Sequence, residues 1–188
     1  MHGVPGSGKT TVAGALAERL GAVRIRSDVE RKRLAGLAPL ARAAAAPGEG
    51  LYDAAATRRT YARLAQLAGA VLEARWPAIV DAAFARREQR ELVRREATAR
   101  GAPCLIVECE APPALLRERV AARQAAARDA SDADVAILEH QLAAREPLGA
   151  DEQAIAVRVD TGEERARERA VEAIVARFGR QAGAARSA

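Results

Sequence analysis

Aromatic side chains make up only 3% of this 188-residue chain. The core must therefore be built from Ala, Val, Leu and Ile, in keeping with a hydrophobic content of 49%. Tyr52, Tyr61, Trp76, Phe84 and Phe178 are scattered, which argues against a stacking platform for nucleic acid. Cysteine is nearly absent. Cys104 and Cys109 lie five residues apart in one apolar run, where strand alternation points them to opposite faces and excludes a bridge between them. No Cys/His cluster suggests zinc, and His2 and His140, far apart, read as incidental. No apolar segment approaches about 20 residues, so no membrane-spanning helix is expected. Lys9 interrupts the N-terminal stretch and no apolar run follows a basic start, so a reduced, cytoplasmic setting is expected. Lysine is the last scarcity. Of 30 basic residues only Lys9 and Lys32 are lysines, and the rest are arginines. The net charge of +5 suits anionic ligands but does not demand a nucleic-acid partner.

One of those lysines closes a specific pattern, Gly3-Val4-Pro5-Gly6-Ser7-Gly8-Lys9-Thr10, which fits Gly, four residues, Gly-Lys-Ser/Thr. Gly6 and Gly8 let the backbone bend so that successive N–H groups point at phosphate oxygens. Lys9 supplies a point charge for the β and γ phosphates, and the Thr10 hydroxyl is a ligand for Mg²⁺. Val12, Leu16 and Leu20 line one face of a following helix that ends at Gly21 and aims its positive end at the same anion. Gly3, Pro5, Gly6, Ser7, Gly8, Lys9, Thr10 and Thr11 are therefore the candidate ATP-binding residues. The plain alternative is a Gly-rich turn that matches by accident.

Such a loop should hang from the carboxyl end of a buried strand, yet only Met1 and His2 precede Gly3. The first strand is read as truncated; an upstream start, a piece of a longer chain or a lost element would each account for it. Ala22–Arg26 then reads as a strand leading to Ser27-Asp28, where Asp28 opens a helix over Val29–Leu37. Residues 38–50 are Ala, Pro and Gly with few anchors, a loop. A long helix is expected from Tyr52 to Arg75, a strand over Ala78–Asp81, and a charged helix from Arg86 to Arg100 with Leu92 and Val93 inward. Pro103–Cys109 is a strand apolar along most of its length, as one covered on both faces should be. Helices follow from Pro112 to about Ala127 and from Ala133 to Arg145, the second capped within Ser131–Asp134. Ile155–Asp160 is the last strand, Glu163–Phe178 the last helix, and residues 179–188 a flexible tail. Alternation of strands and helices makes the class α/β with a parallel sheet, one domain over residues 1–178.

Three further groups sit where phosphoryl-transfer chemistry is done. Asp28 ends a strand and Arg31 follows one helical turn on, so a carboxylate can take a hydroxyl proton while the arginine holds the acceptor. The plain reading is a helix cap beside a solvated charge. Asp81 closes the apolar Ile79-Val80 and is the candidate Mg²⁺-side acid, with a helix cap as its alternative. Arg117, Arg119, Arg123 and Arg128 lie between two helices beside the polar tip Asp129–Asp134. They form a candidate lid over ATP, although at least two of the four should be ordinary surface residues.

On these residues the chain resembles P-loop kinases of the polynucleotide kinase and zeta-toxin group. It is most similar to the ATP-binding half of bifunctional aminoglycoside phosphotransferase/ATP-binding proteins. The likeness runs from Gly3 to about Thr161. Beyond the phosphate loop it rests on Arg26–Arg33, Val80–Phe84, Ala130–Asp134, Leu138–Leu142 and Arg145–Leu148. It implies an adenylate-kinase-like three-layer P-loop NTPase fold, with strand order 2-3-1-4-5 around the truncated first strand and a helical lid at about residues 113–147. It further implies that Asp28 and Arg31 are the base and the substrate-holding arginine, that Asp81 is the third-strand acid, and that Arg119 or Arg123 serves the lid. The expected activity is an ATP/Mg²⁺-dependent kinase acting on a hydroxyl, with a small-molecule acceptor preferred over a polynucleotide 5′ end. An ATP-sensing module that regulates an aminoglycoside-phosphotransferase-like domain without turnover, or a toxin-type kinase acting on a sugar nucleotide, are the other readings.

Overall fold

The computed structural model describes residues 1–41, 50–126 and 134–186. In chain order the elements are α1 (Lys9–Leu20), β1 (Val23–Arg26), α2 (Ser27–Leu34), a 3₁₀ turn (Gly50–Tyr52), α3 (Ala54–Glu73), β2 (Ala78–Asp81), α4 (Arg87–Ala99) and β3 (Ile106–Glu110). They continue with α5 (Pro113–Ala126), α6 (Val135–Ala144), α7 (Ala150–Gln153), β4 (Ala156–Asp160) and α8 (Glu164–Arg186). β1 pairs in parallel with β2, Ile25 opposite Val80 and Arg26 opposite Asp81. β3 pairs in parallel with β4, from Ile106 opposite Ala156 to Glu110 opposite Asp160.

Met1, His2 and Gly3 run between these two pairs. On one flank the Met1 ammonium donates to the Val80 carbonyl at 2.9 Å and the Gly3 amide to Ala83 at 3.3 Å. On the other, His2 N–H donates to Val107 at 2.7 Å and the Cys109 amide donates to His2 at 2.8 Å. The bridge is parallel, His2 opposite Glu108. Counting this stub as the first strand, the order across the sheet is 2-3-1-4-5, the order the resemblance implied. Three residues thus do the central strand's pairing.

Alternation along the strands distributes the core. Val12 and Leu16 of α1 pack with Val107, Cys109 and Val159 of the strands and with Val171 and Ile174 of α8 on one face. On the other face Tyr61, Leu64 and Ala68 of α3 cover Ile25, Val80 and Phe84. The result is a three-layer α/β/α arrangement. A third cluster, Val4, Leu116, Val120 and Leu138, seats α5 and α6 against the phosphate loop. Both cysteines are free thiols.

Two buried ionic clusters tie distant segments of the chain together. Glu108 accepts from Arg145 and from Arg158 at 3.2 Å, with His2 Nε2 3.6 Å away. Burial, then the positive charge of Arg145 and Arg90, push the His2 imidazole down to about 3, so it stays neutral near pH 7. Arg90 of α4 makes a bidentate pair with Glu152 of α7, at 2.6 and 2.9 Å. It also donates to the carbonyls of Phe84, Glu146 and Pro147. That single side chain ties α4, the turn after β2 and the segment after α6 together.

Several boundaries differ from the sequence expectation. α2 begins at Ser27 with Arg26 as its cap, so Asp28 lies inside the first turn and does not cap it. α3 begins at Ala54, where Asp53 accepts from the Ala56 amide at 2.6 Å. β3 begins at Ile106 and not at Pro103. α7 was not foreseen, being a single turn too short for periodicity to reveal. α8 continues through the expected tail to Arg186. Leu92, expected inward, is 37% exposed. Asp134 caps α6 through the Ile137 amide at 2.8 Å, whereas Ser131–Ala133, Arg128 and residues 42–49 lie outside the described residues. Among the described residues no helix is long and apolar enough to cross a membrane.

Candidate active site

The phosphate loop spans the gap between the stub and α1. Gly8 is the left-handed N-cap of α1, with φ of 74°, and Gly6 also has positive φ, 79°. Space, as well as dihedral freedom, requires these glycines. A Cβ on Gly6 would meet the Leu116 carbonyl oxygen at 2.6 Å, and one on Gly8 would meet the Thr161 side chain at 3.0 Å. Pro5 and Ser7 are buried, and Ser7 Oγ has no partner among the described residues. Thr11 faces solvent on the first turn of α1. The Gly3 amide is engaged in the sheet, so its contribution is to the loop's anchoring.

Thr161 and Arg119, from the far end of the chain, brace this loop from outside. The Thr161 hydroxyl lies within hydrogen-bond reach of the Ser7 carbonyl (3.1 Å) and the Glu110 carbonyl (3.1 Å). Arg119 donates to the Gly6 carbonyl at 3.3 Å, to Thr161 Oγ1 at 3.0 Å and to the Thr161 carbonyl at 2.7 Å. Sequence reading gave Thr161 no role in the site. The only available signal was its position just past the last strand, the edge where parallel sheets keep their sites.

Thr10 and Asp81, named separately as Mg²⁺ candidates, are brought together: Thr10 Oγ1 donates to Asp81 Oδ2 at 3.2 Å. The same oxygen accepts from Arg24 at 2.5 Å, and Asp81 is 5% exposed. Arg24 was missed. Alternation along β1 puts it on the face Arg26 shares with Asp81, its partner in register, so the pattern was available. A hydroxyl and a carboxylate side by side are hard oxygen donors of the kind Mg²⁺ takes, completed by water and phosphate. Among the described residues there is no group of three or more His, Cys, Asp and Glu that could hold a metal unaided.

Lys9 Nζ donates to the Val4 carbonyl at 2.9 Å, folding back over the loop's concavity. Burial lowers its pKa against the opposing pull of Asp81, Cys109 and Asp28. Asp28 feels the reciprocal field. Burial raises its pKa, while Lys9, Arg26 and Arg31 oppose the rise. Asp28, Lys9 and Asp81 therefore act on one another electrostatically. Arg31 is 8% exposed, donates to the Leu51 carbonyl at 2.6 Å, and lies 4.9 Å over the Tyr52 ring. Arg123, one turn beyond Arg119 on α5, bears electrostatically on Lys9. Arg117 does not join them; it pairs with Glu139 at 2.7 Å on the surface of α5 and α6.

The turn after β2 follows directly on Asp81. Phe84 holds a left-handed backbone, φ of 51°, uncommon for a bulky residue. The Tyr61 hydroxyl accepts from its amide at 3.1 Å, and Arg90 donates to its carbonyl. Burial pushes the Tyr61 phenol up to about 12, which keeps it protonated.

A family model described as an AAA domain, AAA_33, matches residues 1–148; α7, β4 and α8 lie beyond the matched segment. No curated protein matches the chain. Among solved structures it is similar to a sugar kinase from Janibacter sp. HTCC2649, with TM-score 0.67 and 22% identity over 98% of this chain and 94% of that one. A gluconokinase from Sinorhizobium meliloti 1021 gives TM-score 0.63 and 20% identity over 96% and 94%. The APS kinase of Mycobacterium tuberculosis, solved with AMPPNP and APS, gives TM-score 0.61 and 20% identity over 92% of each chain. At these identities the likeness shows the fold, a P-loop α/β domain.

Proposed function

The chain belongs to the AAA_33 family of AAA domains, and from that premise we propose that it is an ATP- and Mg²⁺-dependent kinase that moves the γ-phosphoryl group to a hydroxyl of a small molecule. The observation that carries this reading is the convergence of charge at the loop: Thr10 bonds to Asp81, and Lys9, Asp81 and Asp28 bear on one another. A nucleotide binder without turnover needs Lys9, Thr10 and Asp81 but has no use for Asp28. Within the family, Asp28 and Arg31 in Asp-x-x-Arg spacing favour the polynucleotide kinase and zeta-toxin side.

In this reading the loop amides and Lys9 hold the β and γ phosphates. Thr10 and Asp81 hold Mg²⁺, which when bound neutralises charge on the phosphate oxygens. Arg31 fixes the acceptor beside Asp28. Asp28 takes the proton of the acceptor hydroxyl as that oxygen bonds to the γ phosphorus and the bond from the γ phosphorus to the bridging oxygen breaks, leaving ADP. Arg119, committed to Gly6 and Thr161, positions the loop, and Arg123, whose charge already bears on Lys9, covers charge on the transferring group.

Incubation of the protein with Mg²⁺, γ-labelled ATP and a pool of small metabolites, beside Lys9→Ala, tests the proposal. Label on a new species with wild type and none with the variant is expected. Nucleotide binding without label transfer to any metabolite would overturn it.

A further inference from the structure

Beside Arg31 opens a cavity of about 660 Å³, lined by one face of each of three helices. From α3 come Thr57, Arg58 and Tyr61, from α4 Glu88, Leu92 and Arg95, and from α6 Ile137, His140 and Gln141. These sets have the spacing of a single helical face. The exposed Leu92 thereby finds its place, as part of the wall.

The charges on this wall do not cancel. Arg31, Arg58, Arg86 and Arg95 face two carboxylates, Glu88 and Glu91. Glu88 is matched by Arg86 at 4.0 Å and Glu91 by Arg95 at 3.1 Å. Among the described residues no carboxylate lies within ion-pair distance of Arg31 or Arg58, though Asp28 acts on Arg31 through space. Arg31 is more than nine-tenths buried and its Nε–H has no hydrogen-bond partner among the described residues. Across the cavity, the buried Oε1 of Gln141 has none either. An orphaned charged donor on one wall and an orphaned neutral acceptor on the other are costly unless a ligand satisfies both. A ligand that does so carries an anionic group and a hydroxyl.

Resting on the phosphoryl-transfer reading above, we infer that the acceptor is a small polyol bearing one carboxylate or phosphate. Arg58 and Arg31 hold its anion, the Gln141 amide accepts from one of its hydroxyls, and another hydroxyl points at Asp28. Arginine is suited to the first task because its planar fork matches carboxylate and phosphate alike. The volume fits a molecule of sugar size within the ordinary range of small-molecule sites.

Calorimetric titration without nucleotide reads the acceptor site separately from transfer. The probes are D-gluconate against D-glucitol, D-glucose 6-phosphate against D-glucose, and a 5′-hydroxyl oligonucleotide. The anion of at least one pair is expected to bind about tenfold or more tightly than its neutral partner. Which pair responds distinguishes carboxylate from phosphate. Arg58→Gln, at an exposed position, is expected to cut that preference several-fold, with Arg31 holding the remainder. Gln141→Leu is expected to weaken both members alike. Equal binding within both pairs, binding by no anionic probe, a preference undiminished in Arg58→Gln, or tighter binding of the oligonucleotide would each overturn the inference. Anion binding without label transfer would sink the kinase reading while leaving this site standing. Transfer to a neutral polyol would do the reverse.

Discussion

The nucleotide side of the centre is built from contiguous residues, Gly3 to Thr11, with Asp81 brought in by one strand pairing. The acceptor side is assembled from helices that begin near residues 54, 87 and 135, and no stretch of it is continuous. The nucleotide side is also over-determined: Thr161 and Arg119 hold the loop's carbonyls, and the Gly6 and Gly8 positions admit no side chain. The proposed acceptor side has, among the described residues, one unpartnered donor and one unpartnered acceptor on the cavity wall, and its shape depends on Arg90 holding the turn at Phe84 to Glu152 and Pro147. Groups that bind an invariant polyphosphate can be local and rigid. Groups that select one acceptor are distributed, so that helices can diverge around a fixed chemical centre.

The largest way to break this contrast is to remove Arg90. Arg90→Leu leaves Glu152 charged, 0% exposed and without its bidentate partner. Unfolding in urea should show a loss of about 3–5 kcal/mol. The acceptor cavity should lose its probes before the loop loses nucleotide. Next is Asp81→Asn, which weakens the acid beside Thr10. Transfer at saturating ATP should fall about a hundredfold, with a raised Mg²⁺ requirement measured by titration of the metal. Thr161→Val sharpens the idea of an external brace. It removes a buried hydroxyl shared among the Ser7 and Glu110 carbonyls and Arg119, at a cost of about 1–3 kcal/mol and with weaker ATP binding by calorimetry. Arg117→Ala marks the bottom of the scale. Its exposed pair with Glu139 should be worth about 0.5 kcal/mol or less in the same urea experiment, with transfer unchanged.

What could be read in the letters follows the same division. Gly3–Thr10 was legible because its spacing encodes a local backbone shape. Asp81 was legible because it ends a strand, and Asp28 and Arg31 because they follow one at helical spacing; strands are recognisable from short apolar runs. Arg119 was named for a lid, yet three of its bonds go to Gly6 and Thr161, a long-range arrangement that spacing cannot reveal. Arg90 lay within a helix of many arginines, and nothing in that helix marks the one whose partner comes from a single turn of helix 62 positions away. The cavity wall was invisible for the same reason. Leu92 read as core by its chemistry, but the element facing it is the site's open space and not a packed neighbour. The last helix was read to end at Phe178, whereas α8 runs on to Arg186.

The central claim is that one carboxylate, Asp28, separates a kinase from a nucleotide binder. The direct test is Asp28→Asn, with ATP affinity measured by calorimetry and label transfer measured from pH 4 to 9. Wild-type transfer needs the ionised carboxylate, whose pKa burial has raised, so its rate should fall on the acid side from a pH above the ordinary carboxylate range. The variant should bind ATP as wild type does, transfer about a hundredfold or more slowly, and lose that acid limb. Undiminished transfer by the variant, or an unchanged acid limb, would contradict the account.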